Sequence, residues 1–128
     1  MQIIVDTQLL LWSVAASKKL PDVARDLITH PGHVVFYSAA SVWEIAVKSR
    51  MGMEGFKVEV PALLRAFETA GFDELPVKSA HVARVLTLPT LHQDAIDRLL
   101  VAQAQMEPAL LLTNDAQLAQ YGDHVRVV

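Results

Sequence analysis

The stretch IIVDTQLLLW, residues 3–12, holds the clearest indication of the fold of this protein. Its first three residues, two isoleucines and a valine, are typical of a short buried strand, and the apolar spacing near residues 8–16 predicts a helix. One acid, Asp6, stands between the two. A strand that passes into a helix is the first half of a βαβ unit, whose strands are parallel. We therefore expect Asp6 at the carboxyl end of the first strand.

The same alternation continues along the chain. Apolar runs at 34–37, 110–112 and 125–128 predict three more strands, and a weaker run at 74–77 predicts a fifth. Helical patterns lie near 22–30, 39–51, 60–71, 78–87 and 94–107, with a short one at 115–121. Strands that alternate with helices predict an α/β fold with a central, mostly parallel sheet of four to five strands, covered on both faces.

The composition limits what the protein can be. With 128 residues, 52% of them hydrophobic, the chain can bury one core, and we expect a single domain over 1–128. There is no cysteine, which excludes disulfides and thiolate metal sites. The opening MQIIVDTQLLLW has no basic leader and too few consecutive apolar residues to span a membrane. A cytoplasmic protein without a membrane partner is the expectation.

The net charge of −3 does not at first favour a nucleic-acid partner, because such proteins usually carry an excess of Lys and Arg. The balance changes if four of the 14 acids belong to a metal site. Ten acids would then face 11 basic residues on the rest of the surface. Net charge therefore leaves nucleic-acid binding open.

Two acids are expected at the carboxyl ends of strands, where open parallel sheets bind their ligands. Asp6 follows the first strand, and Asp115 follows the run at 110–112. Both also have a structural explanation, since Asp often caps a helix, and Asn114 with Gln117 could form a capping pair beside Asp115. For each residue taken alone, capping and function are equally good explanations.

Glu44 lies in the segment SAASVWEIAVKSR, which is apolar on nearly every side and is therefore expected to be buried on most sides. The polar residues of this helix are spaced by three or four and form one stripe: Ser38, Ser41, Glu44 and Lys48. A buried carboxylate needs a partner. For Glu44 that partner is Lys48 at i+4, another donor or a metal ion.

The segment HQDAIDRLLVAQAQ, residues 92–105, places two more acids at the start of a helix. Asp94 is expected to cap this helix. Asp97 shares a helix face with the apolar residues at 100, 101 and 104, so we expect it at the inner end of a buried stripe and favour a functional role. Arg98 lies about a quarter-turn away and is expected to point toward solvent or substrate.

The tryptophans and histidines carry no functional signal of their own. Trp12 and Trp43 lie in apolar helical patterns, which favours core packing over stacking on bases. The five histidines, at 30, 33, 81, 92 and 124, show no HExxH spacing and no clustering that would suggest zinc. We expect most of them in solvated positions or turns.

Four segments, in this order, resemble the PIN-domain ribonucleases and, among them, the toxin component of bacterial VapBC toxin–antitoxin pairs. They are IIVDTQLLLW, SAASVWEIAVKSRMG, HQDAIDRLLVAQA and LLLTNDAQLAQYG, and they extend over nearly the whole chain. The resemblance implies a three-layer α/β/α sandwich with an acidic pocket for Mg²⁺ or Mn²⁺. One departure is Ala95–Ile96, where the commonest form of the motif has Pro-Phe. It leaves both neighbouring carboxylates in place, so we expect activity to survive.

The resemblance also implies an activity, a set of residues and partners. The acids that match the family by motif position are Asp6, Glu44, Asp97 and Asp115, with Thr7, Ser41 and Thr113 as polar support. Carboxylate oxygens suit Mg²⁺ and Mn²⁺, and the implied reaction is hydrolysis of RNA phosphodiester bonds. The candidates for phosphate contacts are Lys48, Arg50 and Arg98. The implied partners are RNA, a small VapB-like antitoxin and a second copy in a homodimer.

Other classes of protein fit the sequence less well. A receiver-like binding module needs a phospho-accepting Asp after its central strand, but here VVFYSAA offers only Ser38. A phosphatase of the DxDxT type needs a second Asp two positions after the first, but Gln8 stands there after Asp6. A catalytically inactive PIN-like domain that only binds partners would keep the same fold, and an assay is needed to separate it from the nuclease.

Overall fold

The computed structural model describes residues 1–128 and contains five strands and seven helical segments. The strands are β1 (Gln2–Val5), β2 (Val34–Ser38), β3 (Asp73–Leu75), β4 (Leu110–Thr113) and β5 (Val125–Val127). The helices are α1 (Thr7–Val14), α2 (Asp22–Thr29), α3 (Ala39–Arg50), α4 (Val60–Thr69), α5 (Ser79–Val85), α6 (Ala95–Met106) and a 3₁₀ helix (Ala116–Tyr121). Every predicted strand and helix is present near its expected position. None of the helices combines the length and apolar character needed to cross a bilayer.

All five strands are parallel, and their order in the sheet is β3-β2-β1-β4-β5. The central strand β1 pairs with β2 on one side and with β4 on the other. The chain therefore adds β2 and β3 on one side of β1, and then returns to add β4 and β5 on the other side. In such sheets the crevice beyond the carboxyl ends of the two strands at this switch point is the usual ligand site.

Helices cover both faces of the sheet and give it three layers. In β1, Ile3 and Val5 belong to one core and Ile4 to the other, so this strand is buried on both sides. The first core packs α1, α2 and α4 against one face, with Ile45 of α3. The second core packs α6 and the 3₁₀ helix against the other face. The predicted three-layer α/β/α fold is confirmed.

One side of α3 differs from the expectation. Trp43 is 64% exposed, and Val47 and Met51, one and two turns further on, are exposed as well. The prediction that Trp43 packs in the core is wrong, because α3 packs against the rest of the chain through its other side, where Ile45 is fully buried. Trp12, by contrast, is half-buried against the first core, as expected.

Candidate metal centre

Asp6 and Asp115 each follow a strand and cap the next helix. Asp6 follows β1, and its Oδ1 accepts the backbone N–H of Leu9 at 3.0 Å. Asp115 follows β4, and its Oδ1 accepts the backbone N–H of Gln117 at 3.0 Å. The cap occupies one oxygen of each carboxylate and leaves the other oxygen for a different partner. Capping and a functional role are therefore compatible for both residues.

Asp97 reaches the same edge of the sheet from the first turn of α6. Asp94 caps this helix as predicted, since its Oδ1 accepts the backbone N–H of Asp97 at 2.9 Å. One and two turns later Leu100, Val101 and Ala104 are fully or almost fully buried, so the face that they share with Asp97 packs into the core. The Asp97 side chain is 23% exposed and stands at the inner end of this stripe.

Glu44 reaches the site from the middle of α3 and is paired there with Lys48. The Lys48 Nζ lies 2.6 Å from the Glu44 Oε2, and the Glu44 side chain is only 12% exposed. The same ammonium group lies 4.8 Å from the centre of the Phe56 ring. The expected i, i+4 ion pair is thus present, and it does not remove Glu44 from the acidic site.

The four predicted acids line one cavity of about 280 Å³ beyond the carboxyl ends of β1 and β4. The other residues that line it are Thr7, Gln8, Lys48, Phe56, Asp94 and Asn114. A larger groove of about 730 Å³ runs between α1 and α4, and Gln8 borders it as well. Most of its walls are apolar and it gathers no cluster of carboxylates, so the smaller cavity is the candidate centre.

The three polar residues expected to support the acids have different roles. Thr113 donates its hydroxyl hydrogen to Oδ2 of Asp6, and the same hydroxyl oxygen accepts the backbone N–H of Asp115 at 3.0 Å. Thr7 instead donates to the hydroxyl of Ser41 at 3.0 Å, and both side chains are buried. Thr113 thus contacts two of the acids directly, whereas Thr7 and Ser41 join α1 to α3 behind them.

Three carboxylates of the cavity have no Lys or Arg side chain to neutralise their negative charge. Burial raises the pKa of Asp6 above its ordinary value, against the opposing hydrogen bonds from Thr113 and Leu9. Burial, and then the charge of Asp94, raise the pKa of Asp97 to about 6. No Lys or Arg lies at ion-pair distance from Asp6, Asp97 or Asp115. A set of oxygen donors with unmet negative charge fits a hard divalent cation such as Mg²⁺ or Mn²⁺.

His92 belongs to this site, and the sequence did not reveal it. Its Nε2 lies 3.0 Å from Oδ2 of Asp97 and 3.1 Å from Oδ2 of Asp115. The only signal in the sequence was its place in the segment that carries Asp94 and Asp97. His81 is an exception to the expectation that most histidines are solvated or in turns, since it is fully buried and its Nε2 lies 2.7 Å from Oε2 of Glu107.

The three candidate phosphate contacts lie in different places, and only Lys48 lines the cavity. Arg50 is exposed at the end of α3. Arg98 was expected to point toward solvent or substrate, but its Nη2 donates to the carbonyl oxygen of Val85 at 3.3 Å and its Nε is buried without a partner, so it is not a free solvent-facing side chain. Val85 ends α5, so Arg98 lies at the negative end of that helix.

Carboxylates gather here at the switch point of a parallel sheet, which is a site suited to a divalent cation. Comparison with known families identifies the family to which this α/β protein belongs. The model of the PIN domain family matches residues 3–123, and the chain belongs to this family. PIN domains are generally metal-dependent nucleases that use divalent ions.

Several solved structures share the fold at low sequence identity. VapBC2 from Rickettsia felis, bound to a DNA fragment from its promoter, is 15% identical with a TM-score of 0.71, over 100% of this chain and 98% of that one. A domain of a protein of unknown function from Methanocaldococcus jannaschii is 15% identical with a TM-score of 0.61, over 99% and 90%. A Pyrobaculum aerophilum protein is 17% identical with a TM-score of 0.58, over 98% and 82%. No curated protein matches the sequence.

Proposed function

We propose that this PIN domain is an endoribonuclease that depends on Mg²⁺ or Mn²⁺ and hydrolyses RNA phosphodiester bonds. One observation carries the proposal: Asp6, Glu44, Asp97 and Asp115 line one cavity at the switch point of the sheet. Three of these acids have no Lys or Arg partner. A divalent cation held by these acids would supply the missing positive charge, lower the pKa of a coordinated water and stabilise the charge that develops on the phosphate.

The chain's own part in the reaction is to hold its acids in place. Asp6, Asp97 and Asp115 are the proposed metal ligands. Asp6 is 6% exposed and its two oxygens are fixed by Leu9 and Thr113, so its position changes little when a cation binds. Preorganised ligands of this kind lower the free-energy cost of binding and of reaching the transition state.

Glu44 and Lys48 are proposed to act together on water and phosphate. Glu44 is a further ligand or orients the attacking water through a carboxylate oxygen. An ammonium group has three donors, and the ion pair with Glu44 uses one of them. Lys48 can therefore hold a phosphate oxygen of the RNA while it stays paired. Attack by water in line with the leaving 3′ oxygen would give a 5′-phosphate and a 3′-hydroxyl.

We further propose that the protein is the toxin of a toxin–antitoxin pair. The support is the resemblance of its four segments to VapBC toxins and the fold that it shares with Rickettsia felis VapBC2. The partner would be a small VapB-like antitoxin that covers the acidic cavity, with an Arg side chain against the carboxylates. We expect a cytoplasmic homodimer, which sedimentation equilibrium of the purified protein would detect.

The function is tested on total cellular RNA incubated with Mg²⁺, Mn²⁺ or EDTA. The proposal predicts cleavage with either ion, none with EDTA, and new 5′-phosphate ends that ligate directly to a sequencing adaptor. The sequenced ends would then identify the RNA that is cut. Cleavage that continues in EDTA, or intact RNA of every class with both ions, would contradict the proposal.

A further inference from the structure

His92 stands between two acids that come from different parts of the fold. Its Nε2 is 3.0 Å from Oδ2 of Asp97, on α6, and 3.1 Å from Oδ2 of Asp115, after β4. One atom of each residue thus forms a compact group in which all three atoms lie within 4.8 Å of one another. Two oxygens and one nitrogen converge on a small volume at the edge of the cavity.

A hydrogen bond to the hydroxyl of Tyr121 holds the backbone of His92 in place. The hydroxyl oxygen of Tyr121 accepts the backbone N–H of Leu91 at 3.2 Å and that of His92 at 3.1 Å. Tyr121 is buried at the end of the 3₁₀ helix whose first turn Asp115 caps. The same short helix therefore positions Asp115 at one end and the backbone of His92 at the other.

The two distances from Nε2 of His92 are those expected between adjacent ligands of one ion. Ligands at about 2.1 Å in an octahedral site lie about 3.0 Å apart when they are adjacent. A hydrogen bond between Nε2 and Asp97 accounts for one of the two distances, but the single N–H of this atom cannot also point well at Asp115. The hydrogen bonds of His92 involve its backbone N–H and its Nε2, so Nδ1 can carry the ring proton and leave the Nε2 lone pair for a metal.

We propose that His92 is a nitrogen ligand of the divalent ion, together with Asp97 and Asp115, and that it makes the site prefer Mn²⁺ to Mg²⁺. This inference rests on the proposed metal-dependent function. Imidazole is a good ligand for transition metals, whereas Mg²⁺ favours oxygen donors and keeps its waters. A carboxylate-only site would lack this source of selectivity.

The test is pulsed EPR of the full chain loaded with Mn²⁺. A histidine nitrogen bound to Mn²⁺ should give a ¹⁴N modulation in unlabelled wild-type protein. Wild-type protein labelled with ¹⁵N only in its histidines should lose this modulation, which identifies a histidine ligand without any substitution.

His92→Gln should lose this coupling and bind Mn²⁺ about 10- to 100-fold more weakly, with a smaller loss for Mg²⁺. The matched control is His30→Gln, an exposed position remote from the cavity, which should keep both the coupling and the affinity. Circular dichroism would check that the variants are folded.

Three results would overturn the inference, and they are distinguishable. If wild-type protein binds Mn²⁺ with no histidine coupling, His92 only hydrogen-bonds to the ligands, although the metal-dependent function would stand. If His92→Gln binds Mn²⁺ more tightly than wild type, the ring competes with the ion instead of binding it. If wild-type protein binds neither ion at millimolar concentration, the proposed function fails and the inference fails with it.

Discussion

The hydroxyl of Thr113 donates a hydrogen bond to the carboxylate of Asp6, which lies 107 positions earlier in the sequence. The two residues meet because β4 pairs directly with β1, and each stands at or just after its strand's carboxyl end. The same hydroxyl oxygen accepts the N–H of Asp115. One threonine therefore fixes the relative positions of two of the proposed metal ligands.

Replacing Thr113 with Val keeps the shape of the side chain and removes its hydroxyl. Buried Asp6 then loses a hydrogen bond, so the free energy of unfolding should fall by about 1–3 kcal/mol. The pKa of Asp6 should rise further, because this bond is the largest of the hydrogen bonds that oppose the effect of burial. Urea unfolding of the metal-free protein measures the first effect. Thr113→Ser, which keeps the hydroxyl, should stay close to wild type, and a Val variant as stable as wild type would contradict the prediction.

Replacing Asp97 with Asn should stabilise the metal-free protein at pH 8. The raised pKa of about 6 means that the folded state disfavours the charged carboxylate. After a discount for partial exposure, the gain should be about 1–2 kcal/mol. Mn²⁺ should raise the melting temperature of wild-type protein but not of this variant. Asp26→Asn, on the exposed surface of α2, is the matched control and should respond to Mn²⁺ like wild type.

Metal binding should weaken as the pH falls below about 6. Asp97 must lose its proton to bind the ion, so the affinity should drop about tenfold per pH unit below its pKa and level off above it. In the metal-free protein, between pH 3.8 and about 6, Asp97 keeps its proton in the folded state but loses it in the unfolded state. The free energy of unfolding therefore falls as the pH rises through that range. Mn²⁺ titrations from pH 5 to 8 test the first statement, and an affinity that stays constant between pH 5 and 6 would refute it.

Replacing Lys48 with Met should weaken RNA binding through the loss of one phosphate contact. On the Asp97→Asn background, where cleavage should be at least about 100-fold slower, the dependence of log affinity on log salt should become shallower by about one unit of slope. Filter binding at several salt concentrations measures this slope. The matched control is Arg65→Met, on the exposed side of α4. An equal loss in both variants would mean that Lys48 contributes only general charge.

The strands, the helices and the positions of Asp6 and Asp115 could be predicted because each depends on a short local stretch of sequence. A short apolar run sets β1 and another sets β4, and the residue that follows a parallel strand lies at its carboxyl edge whatever the rest of the chain does. Asp6 and Asp115 were therefore located without knowledge of any long-range contact. Asp97 needed only the periodicity of α6.

The remaining features depend on contacts between distant residues. His92 lies in a loop without periodicity, and its position depends on the hydroxyl of Tyr121, 29 positions away. The sequence predicts Trp43 in the core because α3 is apolar on most sides, but a helical pattern does not show how many of those sides other elements cover. The contact of Arg98 with the end of α5 is likewise beyond what the periodicity of α6 predicts.

RNA cleavage by four proteins with Mn²⁺ tests the proposed metal centre: wild type, Asp6→Asn, Asp97→Asn and the surface variant Asp26→Asn. Each substitution removes one charge and keeps the shape of the side chain. We predict that wild type and Asp26→Asn cleave equally, and that each of the other two loses at least about 100-fold in rate, or about 2.7 kcal/mol of transition-state stabilisation. Equal cleavage by all four proteins would show that these carboxylates are not the active site.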